Sequence, residues 1–313
     1  MAQVYNFDIV ILGGGPAGLS SALYAARGNV STAVIDINTF GGQPANYMTL
    51  ENYPGSINTG GFELMGKFEE QADLFGVKKF PMQEILSVDL ISNPKVILTS
   101  EARFNAGAVI IATGAQAKKL GIKGEKEFAG RGVSYCAVCD GAFFKDKTVT
   151  VVGGGNSAIE EAMYLSRFAS KVYIVHRRNE LRADKILQER LKSFSNIEII
   201  YNSVVKEIAG ETAVSKVILC NTISNEISEL QTDGVFPYIG MTPNVKEING
   251  QIKQDAMGFI HTDETLKTSV EGVYAAGDVR VTPLRQVITA AADGAVCAVY
   301  AVKYLETIKE KVV

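Results

Sequence analysis

A short β-branched run, a glycine-rich turn and a helix of small residues follow one another twice in this chain, and no other feature restricts its fold so far. Residues 7–12, FDIVIL, lead into GGGPAGLSSALYAARG, where Gly13, Gly15 and Gly18 open a helical pattern that closes at Gly28. Strand, turn and helix in this order read as the start of a dinucleotide-binding βαβ unit. Each glycine has its own reason: Gly13 permits the tight turn, Gly15 lets a pyrophosphate approach the backbone, and Gly18 lets the helix lie close to its strand. The helix N-terminus favours the anion. The next apolar run, STAVID, ends at Asp36, roughly 20 residues beyond the turn, where a carboxylate is suited to hold the ribose hydroxyls of an adenosine.

The pattern recurs in KTVTVVGGGNSAIEEAMYLSRFASKVYIVHRRNELRA, with Gly153 and Gly155 in the turn, Ala158 in the third glycine's place and KVYIV as the next strand. At the spacing from Gly153 that Asp36 keeps from Gly13 stands His176, followed by Arg177 and Arg178, with Arg182 close behind. A carboxylate would repel a 2′-phosphate, whereas guanidinium forks pair with it through charge-assisted hydrogen bonds. An HRR triplet elsewhere would read as a solvated basic loop; after this turn it predicts NADP(H) in preference to NAD(H). Two unlike nucleotide sites in one chain make FAD the expected ligand of the first, because passing hydride from nicotinamide to flavin is common cofactor chemistry.

The 313 residues leave room for two domains, and 47% hydrophobic against 21% charged residues is the balance of a globular protein. With 31 basic and 34 acidic side chains the net charge is -3, which offers no broad basic surface for nucleic acid or anionic lipid. Small molecules or proteins are the expected partners. The N-terminal segment has no basic residue ahead of its apolar run and carries Asp8 inside it, and no later run approaches an uninterrupted apolar span. The expected location is cytoplasmic.

GAVIIATGA at 107–115 reads as a buried strand, and the chain turns polar from 117; a mirror-image change occurs over 237–250, PYIGMTPNVKEING. The expected organisation is therefore an α/β chain with two Rossmann-like domains, the second (117–247) inserted into the first (1–116 and 248–313). In the C-terminal part GVYAAGD is expected as a strand ending at Asp278, and RQVITAAADGAVCAVYAVKYL as a long helix of small residues packed at close range. The segment GFELMGKFEEQADLFG is predicted to be an amphipathic helix with Phe62, Met65, Phe68, Ala72 and Phe75 on its inner face. Cys220 and Cys297 are isolated and read as buried packing residues. Cys136 and Cys139, in YCAVCDG, leave three readings open: a zinc half-site, an inert pair or a disulfide that opens and closes.

Six motifs, GGGPAGLSSALYAAR, GGQ at 41–43, IIATGA, YCAVCDG, GGGNSAIEEA with HRRNELRA, and GVYAAGDV followed by RQVITAAADGA, occur in the order found in the low-molecular-weight thioredoxin reductases. The chain resembles that family over nearly its whole length. The resemblance implies FAD on the first module, at Gly13, Gly15, Pro16, Ala17, Gly18, Asp36, Gln43, Asn52, Gly277, Asp278, Arg285, Gln286 and Val287. It implies NADPH on the inserted module, at Gly153, Gly155, Asn156, Ser157, His176, Arg177, Arg178 and Arg182. It also implies thioredoxin as the protein substrate, a homodimer, and alternating access of nicotinamide and disulfide to the flavin by rotation about the paired linkers. Two departures are visible: Asn156 stands where many members carry Asp, and PANYMTLENYPG replaces a threonine-rich stretch. Related ferredoxin–NADP reductases lack the cysteine pair, and ferredoxin-driven thioredoxin reductases lack the arginine cluster; this chain has both. The extra N-terminal domains of the peroxiredoxin reductases are not expected, since the first strand begins within a few residues of Met1.

With this resemblance the cysteine question narrows. Zinc requires four ligands, and Cys220, Cys297, His176 and His261 are scattered along the chain. A gap of two residues puts both sulfurs within reach of one small disulfide ring, and a helix starting near Cys136 would lower a thiol's pKa. Cys136 and Cys139 are expected to be the redox pair, reduced through the flavin and reoxidised by a protein disulfide. Asp140 matches the family's acid, with a helix-first-turn carboxylate as its structural alternative. The rival functions are the same scaffold reducing or oxidising another dithiol protein, and a nucleotide-binding redox sensor without turnover.

Overall fold

The computed structural model describes residues 3–312 apart from 47–49, 51, 58 and 249, and the side chains of Cys139, Lys309, Lys311 and Val312 also lie outside the description. The residues gather into two compact units, Met1–Gln116 with Thr242–Val313, and Ala117–Met241. In the first, β1 (Gln3–Leu12) is followed by α1 (Pro16–Arg27) and by β2 (Thr32–Ile35), which lies parallel to β1. Helix α2 (Gly61–Leu74) precedes β3 (Lys78–Phe80), parallel to β2. Strands β4 (Ile85–Asp89) and β5 (Lys95–Thr99) form an antiparallel pair, and β6 (Ala102–Ile111) runs antiparallel to β5 and parallel to β1. The last four residues of β1 and β6 are buried, as central parallel strands covered on both faces require.

Helix α2 corrects the expected stripe. Leu64, Met65 and Ala72 are buried, but Phe62 is 78% and Phe75 49% exposed. Phe62 lies about 100° round the helix from Gly61, off the arc that Gly61, Leu64, Met65 and Ala72 share. Phe75 is past the last helical residue and has the Arg27 guanidinium over its ring.

In the second unit, after the short strand β7 (Ala115–Ala117) at the first crossing, the one-turn helix α3 (Ala137–Asp140) precedes β8 (Thr148–Gly153). Then come α4 (Asn156–Leu165), β9 (Lys171–Val175), α5 (Lys185–Leu191) and β10 (Ile197–Ile200). An antiparallel meander follows, β11 (Ser203–Gly210), β12 (Val214–Asn221) and β13 (Ile227–Gln231). Strand β14 (Gly234–Tyr238) returns beside β8, completing a parallel sheet of order β10-β9-β8-β14. The second crossing, β15 (Met241–Pro243), comes earlier than the expected boundary at 247. Asn244 already belongs with the first unit, where its amide N–H donates to the Gly114 carbonyl at 3.0 Å and its carbonyl accepts from Thr113 Oγ1 at 2.6 Å.

The first unit resumes with β16 (Val273–Ala275), parallel to β6, and ends in α6 (Val287–Val312). Strand β16 stops before Asp278 because Gly277 turns the chain at φ 75°. Ser20 and Ser21 of α1 donate to the carbonyls of Ala291 and Gly294 in α6 at 2.7 and 3.0 Å, the close approach that small residues permit. The stretch Val287–Ile308 is long and apolar enough to cross a membrane, yet Ala290, Ala291, Cys297, Ala298, Ala301 and Leu305 are buried in the core of this unit. Both units are α/β, the first around a mixed sheet with a parallel core and the second around a parallel four-stranded sheet, and the second is inserted into the first.

Candidate functional site

The first turn lies at the carboxyl edge of the parallel strands, where open α/β sheets place ligands. Gly13 has φ 105°, and a methyl group on it would stand 2.4 Å from the Ala112 carbonyl oxygen. On Gly18 a methyl would stand 1.8 Å from the carbonyl oxygen of Gly13. Gly15 differs: the nearest heavy atom to a methyl there is Gly42 Cα at 3.7 Å, so its face is an open cradle. Asp36, just after β2, accepts hydrogen bonds from Gly14 N at 2.6 Å and Asn38 N at 2.8 Å, one on each carboxylate oxygen. Burial raises its pKa, against those two bonds. Each oxygen keeps a lone pair for a hydroxyl donor.

Across the same edge, burial raises the pKa of Asp278, with the Arg285 guanidinium opposing and Asp293 adding to the shift. Arg285 stacks 4.3 Å over the Phe259 ring, and its buried Nε has no hydrogen-bond partner among the described residues. Asn52 Nδ2 donates to Gln286 Oε1 at 2.8 Å, and Gln43 Nε2 donates to the Ala115 carbonyl. Pro16 opens α1. Ala17 and Val287 have buried side chains, Val287 among Leu64 and Met65, so each offers a ligand only its backbone. Residues 47–49 and 51 of the unusual stretch after GGQ lie outside the described residues. Sequence reasoning passed over Asp293, which accepts from Gly277 N at 3.0 Å and from Arg280 Nε at 2.7 Å and Nη2 at 2.9 Å. A lone acid in an alanine-rich helix was the available signal. An open backbone cradle, a carboxylate at the strand end and an unsatisfied guanidinium nitrogen together fit FAD.

The second turn repeats the first. A methyl on Gly153 would stand 2.4 Å from the Tyr238 carbonyl oxygen, while Gly155 is open, with Arg182 Nη2 the nearest atom at 3.9 Å. Arg177, Arg178 and Arg182 are exposed, as is Ser157 in the first turn of α4. His176 departs from the expected cationic cluster: its side chain is buried beneath Gly154, where a methyl would meet Nδ1 at 2.3 Å. Burial lowers its pKa, a hydrogen bond with the Glu180 backbone opposes, and the three arginines push it further down. The positive charge therefore comes from the arginines, and the imidazole supports the turn from below. The Asn156 side-chain amide is bonded at both ends to Asp184, Nδ2 to its carboxylate and Oδ1 to its backbone N–H. The open cradle and the three guanidinium groups fit NADPH.

Within α4, burial raises the Glu161 pKa from 4.5 to about 7, Glu160 adds repulsion, and Oε2 is buried without a partner among the described residues. A carboxyl whose folded pKa lies above its unfolded one stabilises the fold below about pH 4.5 and loses that contribution as pH rises to about 7. Glu161→Gln is therefore expected to gain on the order of 2 kcal/mol over the unmodified protein at pH 8 and almost nothing at pH 4.5. Urea unfolding at both pH values checks it, and an equal gain at both would exclude the titration.

The cysteine motif sits in the same unit as the arginines. Cys136 is disulfide-bonded, whereas Cys220 and Cys297 are free. Cys139 lies within α3, and its side chain is outside the description. Cys297 is buried as expected, with burial raising its thiol pKa; Cys220 is only half-buried. Ser134 Oγ accepts from Cys136 N at 3.1 Å, Tyr238 Oη accepts from Ala137 N at 2.8 Å, and Asp140 N donates to the Cys136 carbonyl at 3.2 Å. Next to the pair, Tyr135 Oη donates to the buried Glu125 at 2.7 Å, and that carboxylate also accepts from Leu120 N and Gly121 N. Burial, reinforced by Glu125, raises the Tyr135 pKa and keeps it a donor. Helix α3 is one turn long, so its dipole does less for a thiol than a full helix would. Asp140 lies in the single turn of α3 and caps no backbone N–H of the turn that follows. Val138 and Phe143 are 46% and 61% exposed beside the motif.

Residues 7–294 match the family model of the pyridine nucleotide-disulphide oxidoreductases. The chain is 47% identical to a thioredoxin reductase of Bacillus subtilis, with 99% of this chain and 98% of that protein covered. Its structure is similar to that of a thioredoxin reductase from Lactococcus lactis, at 40% identity and a TM-score of 0.80, over 96% of this chain and 99% of the other. A thioredoxin reductase from Streptococcus pyogenes is similar at 45% identity and a TM-score of 0.76, with the same coverage.

Proposed function

This chain belongs to the pyridine nucleotide-disulphide oxidoreductase family, and on that footing we propose that it is an NADPH-dependent, FAD-containing thioredoxin-disulfide reductase. The observation that carries this reading is one unit holding a disulfide at Cys136 together with an open glycine cradle beside Arg182 and the exposed Arg177 and Arg178. A second open cradle, with the Asp36 carboxylate bonded to its turn, is in the other unit.

Bound FAD supplies a two-electron carrier between nicotinamide and disulfide. Gly15 and the start of α1 hold its pyrophosphate, Asp36 its ribose, and Gln43, Asn52, Asp278, Arg285 and Gln286 the remainder. Gly155 and Ser157 seat the NADPH pyrophosphate, while Arg177, Arg178 and Arg182 hold the 2′-phosphate. Two electrons and two protons convert the Cys136–Cys139 disulfide to a dithiol. One thiolate then attacks the thioredoxin disulfide, forming a mixed disulfide and releasing one partner thiolate, for which Asp140 is the proposed proton donor. The second cysteine displaces the other partner sulfur, restoring Cys136–Cys139 and leaving thioredoxin as a dithiol. Val138 and Phe143 give the protein partner an apolar surface to meet. A homodimer and a cytoplasmic setting, where the free Cys220 and Cys297 stay reduced, complete the proposal.

The test is optical. The purified protein is expected to be yellow, to bleach with NADPH, and to recover its colour when oxidised thioredoxin is added. Recovery with a different dithiol protein and not with thioredoxin would transfer the assignment to that partner, and a protein that binds no FAD would overturn it.

A further inference from the structure

Asp184 precedes α5, a place where an aspartate ordinarily accepts from the first backbone N–H groups of the helix, but its side chain makes no such bond. Oδ2 accepts instead from Asn156 Nδ2 at 2.7 Å, and the Asp184 backbone N–H donates to Asn156 Oδ1 at 2.9 Å. Alongside, the N–H groups of Arg182 and Ala183 both donate to the Gly154 carbonyl, at 2.7 and 3.1 Å. These bonds fasten residues 182–184 to the glycine turn 154–156. Leu181 and Ala183 are buried and Arg182 between them is exposed, so the segment aims the guanidinium outward beside the open face of Gly155.

We propose that the Asn156–Asp184 pair is a positioning clamp for coenzyme selectivity, holding Arg182 within reach of the 2′-phosphate of a nucleotide seated on Gly155. The inference rests on the nucleotide assignment of the second turn. Asn156 touches no phosphate in this role; it acts through Arg182. Without the clamp Arg182 keeps its charge, but its segment is tied to the turn only at Gly154, and each phosphate contact must first offset the added freedom of backbone and side chain. The 5′-phosphate, bound by the turn's own backbone, is not subject to that cost.

Calorimetric titration of the flavin-loaded protein with 2′,5′-ADP and with 5′-AMP separates these effects without turnover, since the two ligands differ only in the 2′-phosphate. Asn156→Ala and Asp184→Ala are each expected to lower the preference for 2′,5′-ADP roughly fivefold or more, with 5′-AMP affinity changed less than about twofold. Asp184→Asn, which keeps an acceptor for Asn156 Nδ2, retains the preference. In an Arg182→Ala background Asn156→Ala produces no further fall, because the two residues act as one unit. Equal weakening of both ligands by Asn156→Ala, or a fall that persists undiminished without Arg182, would overturn the clamp. An unmodified protein with no preference for 2′,5′-ADP would overturn the nucleotide assignment itself, and the clamp with it.

Discussion

Cys136→Ser and Cys139→Ser are each expected to retain bound flavin whose absorbance falls when NADPH is added, while thioredoxin turnover drops at least about 10³-fold. The division follows from where the parts lie. The nucleotide cradles are formed by Gly15, Asp36, Gly155 and the arginines, none of which depends on a sulfur atom. The protein substrate, in contrast, needs both cysteines, one to attack and one to resolve, and a serine hydroxyl neither ionises near neutral pH nor closes a disulfide. Stopped-flow absorbance with NADPH, followed by a coupled thioredoxin assay, reads the two halves separately. Full turnover by either variant would make the pair structural. Loss of flavin reduction in both would place the disulfide ahead of the flavin and reverse the proposed order.

Changing Arg177 and Arg178 together to Ala is expected to raise KM for NADPH about 100-fold, with KM for NADH nearly unchanged. A hydrogen bond to a charged partner contributes about 1.5–3 kcal/mol. Both side chains are exposed, so solvent screening argues for the lower end, and two such contacts give about 3 kcal/mol, or roughly two powers of ten. Burial lowers the His176 pKa, so the charge facing the phosphate comes from the arginines. The same screening predicts that added salt weakens NADPH binding more than NADH binding. Steady-state kinetics with both coenzymes at two salt concentrations checks the pair of statements, and equal efficiency with NADPH and NADH in the unmodified protein would sink them.

Local spacing carried the two nucleotide turns, the exchange of Asp36 for an arginine cluster, and the paired cysteines into view without any structure. Those features depend on residues a few positions apart, where strand, turn and helix periods set the geometry. The long helix after Gln286 and its tight packing were legible for the same reason, since a run of small residues has few other uses. The antiparallel meander of β11, β12 and β13 was not read out, because its alternation is broken by register shifts at 205/207 and 209/210. Which of the expected site residues keep an exposed side chain was decided only by through-space packing. His176 is buried by Gly154, Val287 by α2, Phe62 is left outside by the direction of one helix, and Asn156 is claimed by Asp184 from 28 residues away. A side chain's type and spacing in the sequence determine what chemistry it can perform. The fold determines which of its polar atoms are already taken, and that depends on neighbours the chain brings together only after it has closed on itself.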